Sequence, residues 1–139
     1  MSGFLLDTNV LSELIKPNPD ANVVRWIKAT DEQIMFLSVL TLGEIRNGIA
    51  QLRAGPRRGI LEAWLPNLRS RFEHRILTID EAIADRWGAL SALGAGKGKP
   101  VPVVDGLLAA TALHHNLTLV TRNISDVVNT GVSTLNPWL

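Results

Sequence analysis

The chain has 139 residues, 46% of them hydrophobic, a formal net charge of +1 and no cysteine. That length suits a single domain with a proper core, and the near-neutral charge gives no global electrostatic signature of nucleic-acid binding. The absence of cysteine excludes a disulfide framework and thiolate metal sites, and it fits a reducing, cytoplasmic setting. The opening MSGFLLDTNV has no basic leader and reaches Asp7 too early for a signal peptide. No charge-free apolar stretch approaches about 18 residues, so no membrane span is expected.

In chain order, GFLLD predicts a buried strand and TNVLSELI a helix directly after it. NPDANVVRWIKA predicts a second helix, with Asn18 as N-cap, Pro19 at the first helical position and Val23, Val24 and Ile27 on one face. IMFLSV reads as a strand. LTLGEIRNGIAQL then places Leu42, Ile45, Ile49 and Leu52 at helical spacing. RRGILEAWLPNL is helical, with Pro66 expected to kink or end it. RILTI is a strand. DEAIADRWGAL opens on Asp80 as cap, with Ile83, Trp87 and Leu90 in register. Residues 94–100, GAGKGKP, read as a loop, VVDGLLAATALHH as a helix, LTLVT as a strand and ISDVV as a helical turn. STLNPWL at the end suits an edge strand. Short apolar runs alternating with longer periodic ones argue an α/β fold with a mainly parallel sheet covered on both faces.

Four acids stand at strand exits or near helix starts. Asp7 ends the first strand, Glu44 lies on the helix after the second, Asp105 sits in an almost wholly apolar run, and Asp126 follows the last clear strand. The carboxyl ends of strands are where open α/β sheets bind ligands. Taken singly, each has an ordinary reading. Asp7 caps the helix after it, Glu44 pairs with Arg46 or faces solvent, Asp105 is an N-cap, and Asp126 caps a turn or pairs with Arg122. Taken together they ask for more. Two carboxylates ~4 Å apart repel by about 4 kcal/mol at an effective dielectric near 20. No lysine lies in the segments around them, and two arginines cannot neutralise four charges. A hard divalent cation would, and Mg²⁺ characteristically takes one or two carboxylates with waters and a substrate phosphate.

LLDTNVLSEL, SVLTLGEIRNGI, VVDGLLAATA and LVTRNISD, in that order, resemble the PIN-domain family, most closely its VapC- or FitB-type toxins of bacterial toxin–antitoxin pairs. The resemblance runs from Leu5 to Pro137. It implies a three-layer α/β/α sandwich and a Mg²⁺-dependent ribonuclease, with Mn²⁺ as a substitute. By motif the family's acids fall on Asp7, Glu44, Asp105 and Asp126. Asp7 and Asp105 are then the expected direct metal ligands, Glu44 holds water or a second ion, and Asp126 or Asn123 completes the shell. Thr8, Asn9, Thr121 and Asn123 are the expected supporting residues. One departure is Val127, where the family usually has an aromatic, which puts the packing beside Asp126 in question. The implied partners are an RNA (tRNA, rRNA or mRNA) and a small antitoxin whose C-terminal segment blocks the acids with an arginine. Operator DNA would be reached only through that antitoxin. A homodimer is expected too, and VVRWIKA and RGILEAWL offer apolar side chains for it.

Weaker signals remain. GAGKGK lacks P-loop spacing, though Lys97, Lys99 and Arg122 are candidate RNA contacts. His114 and His115 end a helix, which suits the dipole better than a metal. Arg53, Arg57, Arg58, Arg69, Arg71 and Arg75 outweigh Glu62 and Glu73 by +4 within residues 51–75. That tract reads equally as a solvated face or as a surface for RNA or an acidic partner. Trp26, Trp64, Trp87 and Trp138 read as core or interface. A haloacid-dehalogenase-type phosphatase is disfavoured, because Asn9 stands where its second aspartate belongs. A non-catalytic, co-repressing partner would be marked by substituted acids, and none is substituted.

Overall fold

The computed structural model describes residues 3–139. Five short strands, all paired in parallel, form one sheet in the order β3-β2-β1-β4-β5. They are β1 (Phe4–Leu6), β2 (Met35–Ser38), β3 (Ile76–Leu77), β4 (Thr118–Val120) and β5 (Thr134–Leu135). Six helices connect them: α1 (Thr8–Leu14), α2 (Ala21–Ala29), α3 (Val39–Ala50), α4 (Pro56–Arg71), α5 (Glu81–Gly96) and α6 (Val103–His114). Strand alternation sends neighbouring side chains to opposite faces, and each face has its own core. Leu6, Met35, Leu37 and Val120 pack with α1 to α4 through Val10, Val23, Ile45, Leu65 and others. Leu5, Leu119 and Val127 pack on the other face against Leu108, Ala109 and Ala112 of α6. The result is the expected α/β/α sandwich. Among the described residues, no helix is long and apolar enough to cross a membrane.

Several local expectations need correction. The cap of α2 is Asp20, whose side chain accepts from the N–H groups of Asn22 and Val23, so Asn18 and Pro19 lie outside the helix. A buried carboxylate decides this: Glu13 of α1 accepts the Asp20 N–H at 2.9 Å and fixes where the chain enters α2. Pro66 does not end α4, which continues to Arg71. Leu61, Leu65 and Leu68 are buried around an exposed Pro66, so packing on one face outweighs the missing amide hydrogen bond. Residues 94–96 belong to α5, and the loop begins at Lys97. Asp105 is not a cap. It stands in the first turn of α6, behind Pro102, which offers no side-chain cap.

The basic tract is largely structural. Arg58 pairs with Glu62 at 2.7 Å, and Arg71 and Arg75 both pair with Glu32. Arg75 also donates to the Met35 carbonyl at 2.9 Å and lies over the Phe72 ring, while Arg57 donates to the Ile15 carbonyl at 3.0 Å. Trp26 meets Phe4 edge to face at a centroid distance of 5.1 Å, and Trp64 packs against the larger core.

Candidate active site

The parallel sheet delivers β1, β2 and β4 to one edge, and the loops and helices that follow them carry the polar residues. The Asp7 N–H bonds the Val120 carbonyl at 2.9 Å, which locks the end of β1 to the end of β4. Asp7 then turns the chain into α1 as its N-cap, Oδ1 accepting the Thr8 N–H at 2.6 Å. The capping reading of Asp7 is therefore correct, but only one oxygen is used for it. Oδ2 accepts the Thr121 hydroxyl at 2.8 Å and the Asn9 amide at 3.3 Å. Asn9 Nδ2 also reaches Thr121 Oγ1 at 3.3 Å, and the Asn123 N–H donates to the same hydroxyl at 3.0 Å. Thr8, Asn9, Thr121 and Asn123 thus form one polar frame: Thr121, 1% exposed, holds Asp7, and Thr8 donates its hydroxyl to Glu44 Oε1.

The charges of the other acids reach Asp7 and Asp105. Burial is the main cause that raises the Asp7 carboxyl above its ordinary value. The hydrogen bonds from Thr121 and Thr8 oppose it, and the charges of Glu44 and Asp126 add to it. Asp105 is pushed up to about 6, first by burial and then by the charges of Asp7, Asp126 and Glu44. Neither Glu44 with Arg46 nor Asp126 with Arg122 forms an ion pair among the described residues. Asp126 ends an exposed 3₁₀ turn (Ile124–Asp126), and Val127 after it is 2% exposed and packed in the α6-side core, so the small aliphatic fills its place. Among the described residues, no three His, Asp or Glu side chains stand close enough together, as placed, to hold a metal ion. The cluster is open, with carboxylates within electrostatic reach but not clenched.

Two neighbours of the site come from helix faces that periodicity marks only as packing. Trp87 of α5 closes against Gly106, next to Asp105; a Cβ at Gly106 would lie 3.0 Å from Trp87 Cδ1. A groove of about 200 Å³ runs from Thr8 and Glu44 past Gly48 to Leu52, Leu61 and Trp64. Lys97 caps the C-terminal end of α5, with Lys99 two residues beyond it. His114 and His115 stack edge to face at the far end of α6 from Asp105.

A fold of this kind with acids at the strand exits defines a class, and comparison with known proteins gives it a name. The PIN-domain profile matches residues 4–125, and the chain belongs to the PIN-domain family. Toxin FitB of Neisseria gonorrhoeae is 36% identical over 135 residues, covering 96% of this chain and 97% of its own. A VapC ribonuclease of Sinorhizobium fredii is 36% identical over 135 residues, at 96% of both chains. A solved structure of FitAB bound to a DNA fragment superposes with a TM-score of 0.94 at 34% identity, over 98% of this chain and 96% of that one.

Proposed function

We propose that the chain is a metal-dependent endoribonuclease, the toxin of a VapC/FitB-type toxin–antitoxin pair, which hydrolyses phosphodiester bonds in RNA at Asp7, Glu44, Asp105 and Asp126. One observation carries the reading. The Asp105 carboxyl is pushed up to about 6, first by burial and then by the charges of three other carboxylates, and no lysine or arginine pairs with any of the four among the described residues. Such a cluster is a poor structural device, and a cation that drew its oxygens closer would relieve it. Its donors are all oxygen, which suits Mg²⁺ or Mn²⁺ over softer metals. An open arrangement also fits an ion that keeps waters and a substrate phosphate in its shell. Asp7 and Asp105 would hold the ion directly, with Asp126 or Asn123 completing the set and Glu44 orienting water or a second ion. When bound, the cation would neutralise the phosphodiester and bring an attacking water toward ionisation at neutral pH.

The chain's own residues supply order. Thr121 and Asn9 fix the Asp7 oxygen not used in capping, and Thr8 fixes Glu44, so the carboxylates stand ready without reorganisation. The similarity to FitB and to FitAB on DNA supports an antitoxin partner that carries operator DNA. That its C-terminal segment reaches the acids, that the toxin is a homodimer and that it works in the cytoplasm are parts of the same proposal. The test is incubation of the pure protein with total cellular RNA and Mg²⁺, with and without EDTA, followed by sequencing of the new ends. New ends should vanish in EDTA and in Asp105→Asn, which should fold normally. Equal cleavage by wild type and Asp105→Asn would overturn the reading.

A further inference from the structure

Arg122, so far only a candidate RNA contact, forms a pair with Trp138 at the sheet edge that carries the acids. Arg122 follows Thr121, the residue that holds Asp7, and its own N–H donates to Asn9 Oδ1 at 3.4 Å. Its backbone is therefore tied into the frame of the site. Its guanidinium carbon lies 5.1 Å from the centroid of the Trp138 ring, within cation–π range. Trp138 is itself anchored. Its N–H donates to Asn136 Oδ1 at 2.9 Å, its carbonyl accepts from Asn22 Nδ2 at 2.9 Å, and its side chain packs on the larger core. Among the described residues the Arg122 guanidinium makes no ion pair; Glu13 feels its charge only weakly, behind Lys16 and the Asp20 N–H.

A guanidinium is always charged and planar. Stacking on a fixed indole adds a set orientation, which leaves this exposed one open to an anion. A guanidinium fork matches a phosphate in two parallel hydrogen bonds. We propose that Trp138 is a positioning residue, which holds Arg122 beside the acid cluster to grip an RNA phosphate flanking the one to be cut. The inference rests on the ribonuclease reading and fails separately from it.

The experiment titrates a short fluorescein-labelled single-stranded RNA against the full chain in EDTA, where no cleavage intervenes, over a range of salt. Arg122→Gln should weaken binding about tenfold and flatten the slope of log affinity against log salt by about 0.7, the loss of one phosphate contact on a single strand. Trp138→Leu should reproduce most of both changes, and Trp138→Phe should fall between it and wild type. The double variant should bind no worse than Arg122→Gln, because the two residues act as one unit. With Mg²⁺ present, KM for cleavage should rise while kcat holds within about twofold. Losses that add in the double variant would overturn the proposal. So would a folded Trp138→Leu with wild-type affinity and slope, or wild type that does not bind the RNA. Should Trp138→Leu unfold the core, Arg122→Gln decides alone, since its side chain is exposed and a glutamine there leaves Trp138 packed on the core: unchanged affinity and slope would sink the idea. Absence of cleavage by wild type with Mg²⁺ is the separate result that removes the underlying function.

Discussion

Asp105 gives the metal-free protein a pH dependence of unusual sign. In the unfolded chain its carboxyl returns to its ordinary value of 3.8, and in the folded protein it stands at about 6. Between those values the folded state holds a proton that the unfolded chain has released, so stability falls as pH rises through the window and levels off above it. Asp7, also raised, acts in the same direction. Glu13 and Glu32 act oppositely. The hydrogen bonds from Lys16 and Arg71 hold them below their ordinary values, so their contribution is present above about pH 4.5 and is lost in acid. Comparing Asp105→Asn with wild type isolates the first effect. In EDTA, the melting temperature of the variant should exceed that of wild type by a margin that grows from about pH 4.5 and becomes constant above about pH 6.5. A margin independent of pH would show that Asp105 does not carry the charge strain assigned to it.

Helix α3 makes a complementary case, because it carries glycines where packing does not ask for them. A Cβ added at Gly48 meets nothing within 4 Å, yet Gly48 lines the groove that starts at Glu44. Gly48→Ala should raise stability by about 0.5–1 kcal/mol through helix propensity, read as a higher denaturant midpoint with an unchanged slope. A loss of stability would show that the groove is tighter than its geometry. The same elements show how far the sequence could be read. Strand–helix alternation and the acids at strand exits are local patterns, and with the family motifs they single out Asp7, Glu44, Asp105 and Asp126 as candidates. The bonds that hold Asp7 and Glu44 were not legible. Thr121 and Asp7 are 114 positions apart, and no periodicity encodes that β1 and β4 are neighbours. The cap of α2 was misread for a similar reason: Asn18 and Asp20 are both good caps locally, and the distant Glu13 chooses between them. In residues 51–75 the charges could be counted but their partners on other elements could not.

For the molecule as a whole, the proposed cation site makes a prediction about stability, because a bound cation would relieve the repulsion that reaches Asp7 and Asp105. A metal that binds the folded cluster and hardly the unfolded chain stabilises it by RT ln(1 + [L]/Kd), ~2.7 kcal/mol at a hundredfold excess over Kd. Millimolar Mn²⁺ should therefore raise the melting temperature of wild type by several degrees, and less at pH 5 than at pH 7.5, since protons compete for the same oxygens. Asp7→Asn should melt higher than wild type in EDTA and lose the response to metal. Wild type that melts above the variant in EDTA and ignores Mn²⁺ would show that the four carboxylates are not one site.

The strand order has a consequence in time. β1 is made first yet sits at the centre of the sheet, and its second neighbour, β4, comes from residues 118–120. Until that stretch has left the ribosome, Asp7 lacks both the Val120 carbonyl that fixes its backbone and the Thr121 hydroxyl that orients its free oxygen. At roughly 5–20 residues per second of synthesis, a nascent chain spends most of its production with an unassembled centre. Translation broken off before residue 118 releases fragments in which Asp7 has neither support. The order of strands thus leaves the acid site unassembled until residues 118–121 are free to fold.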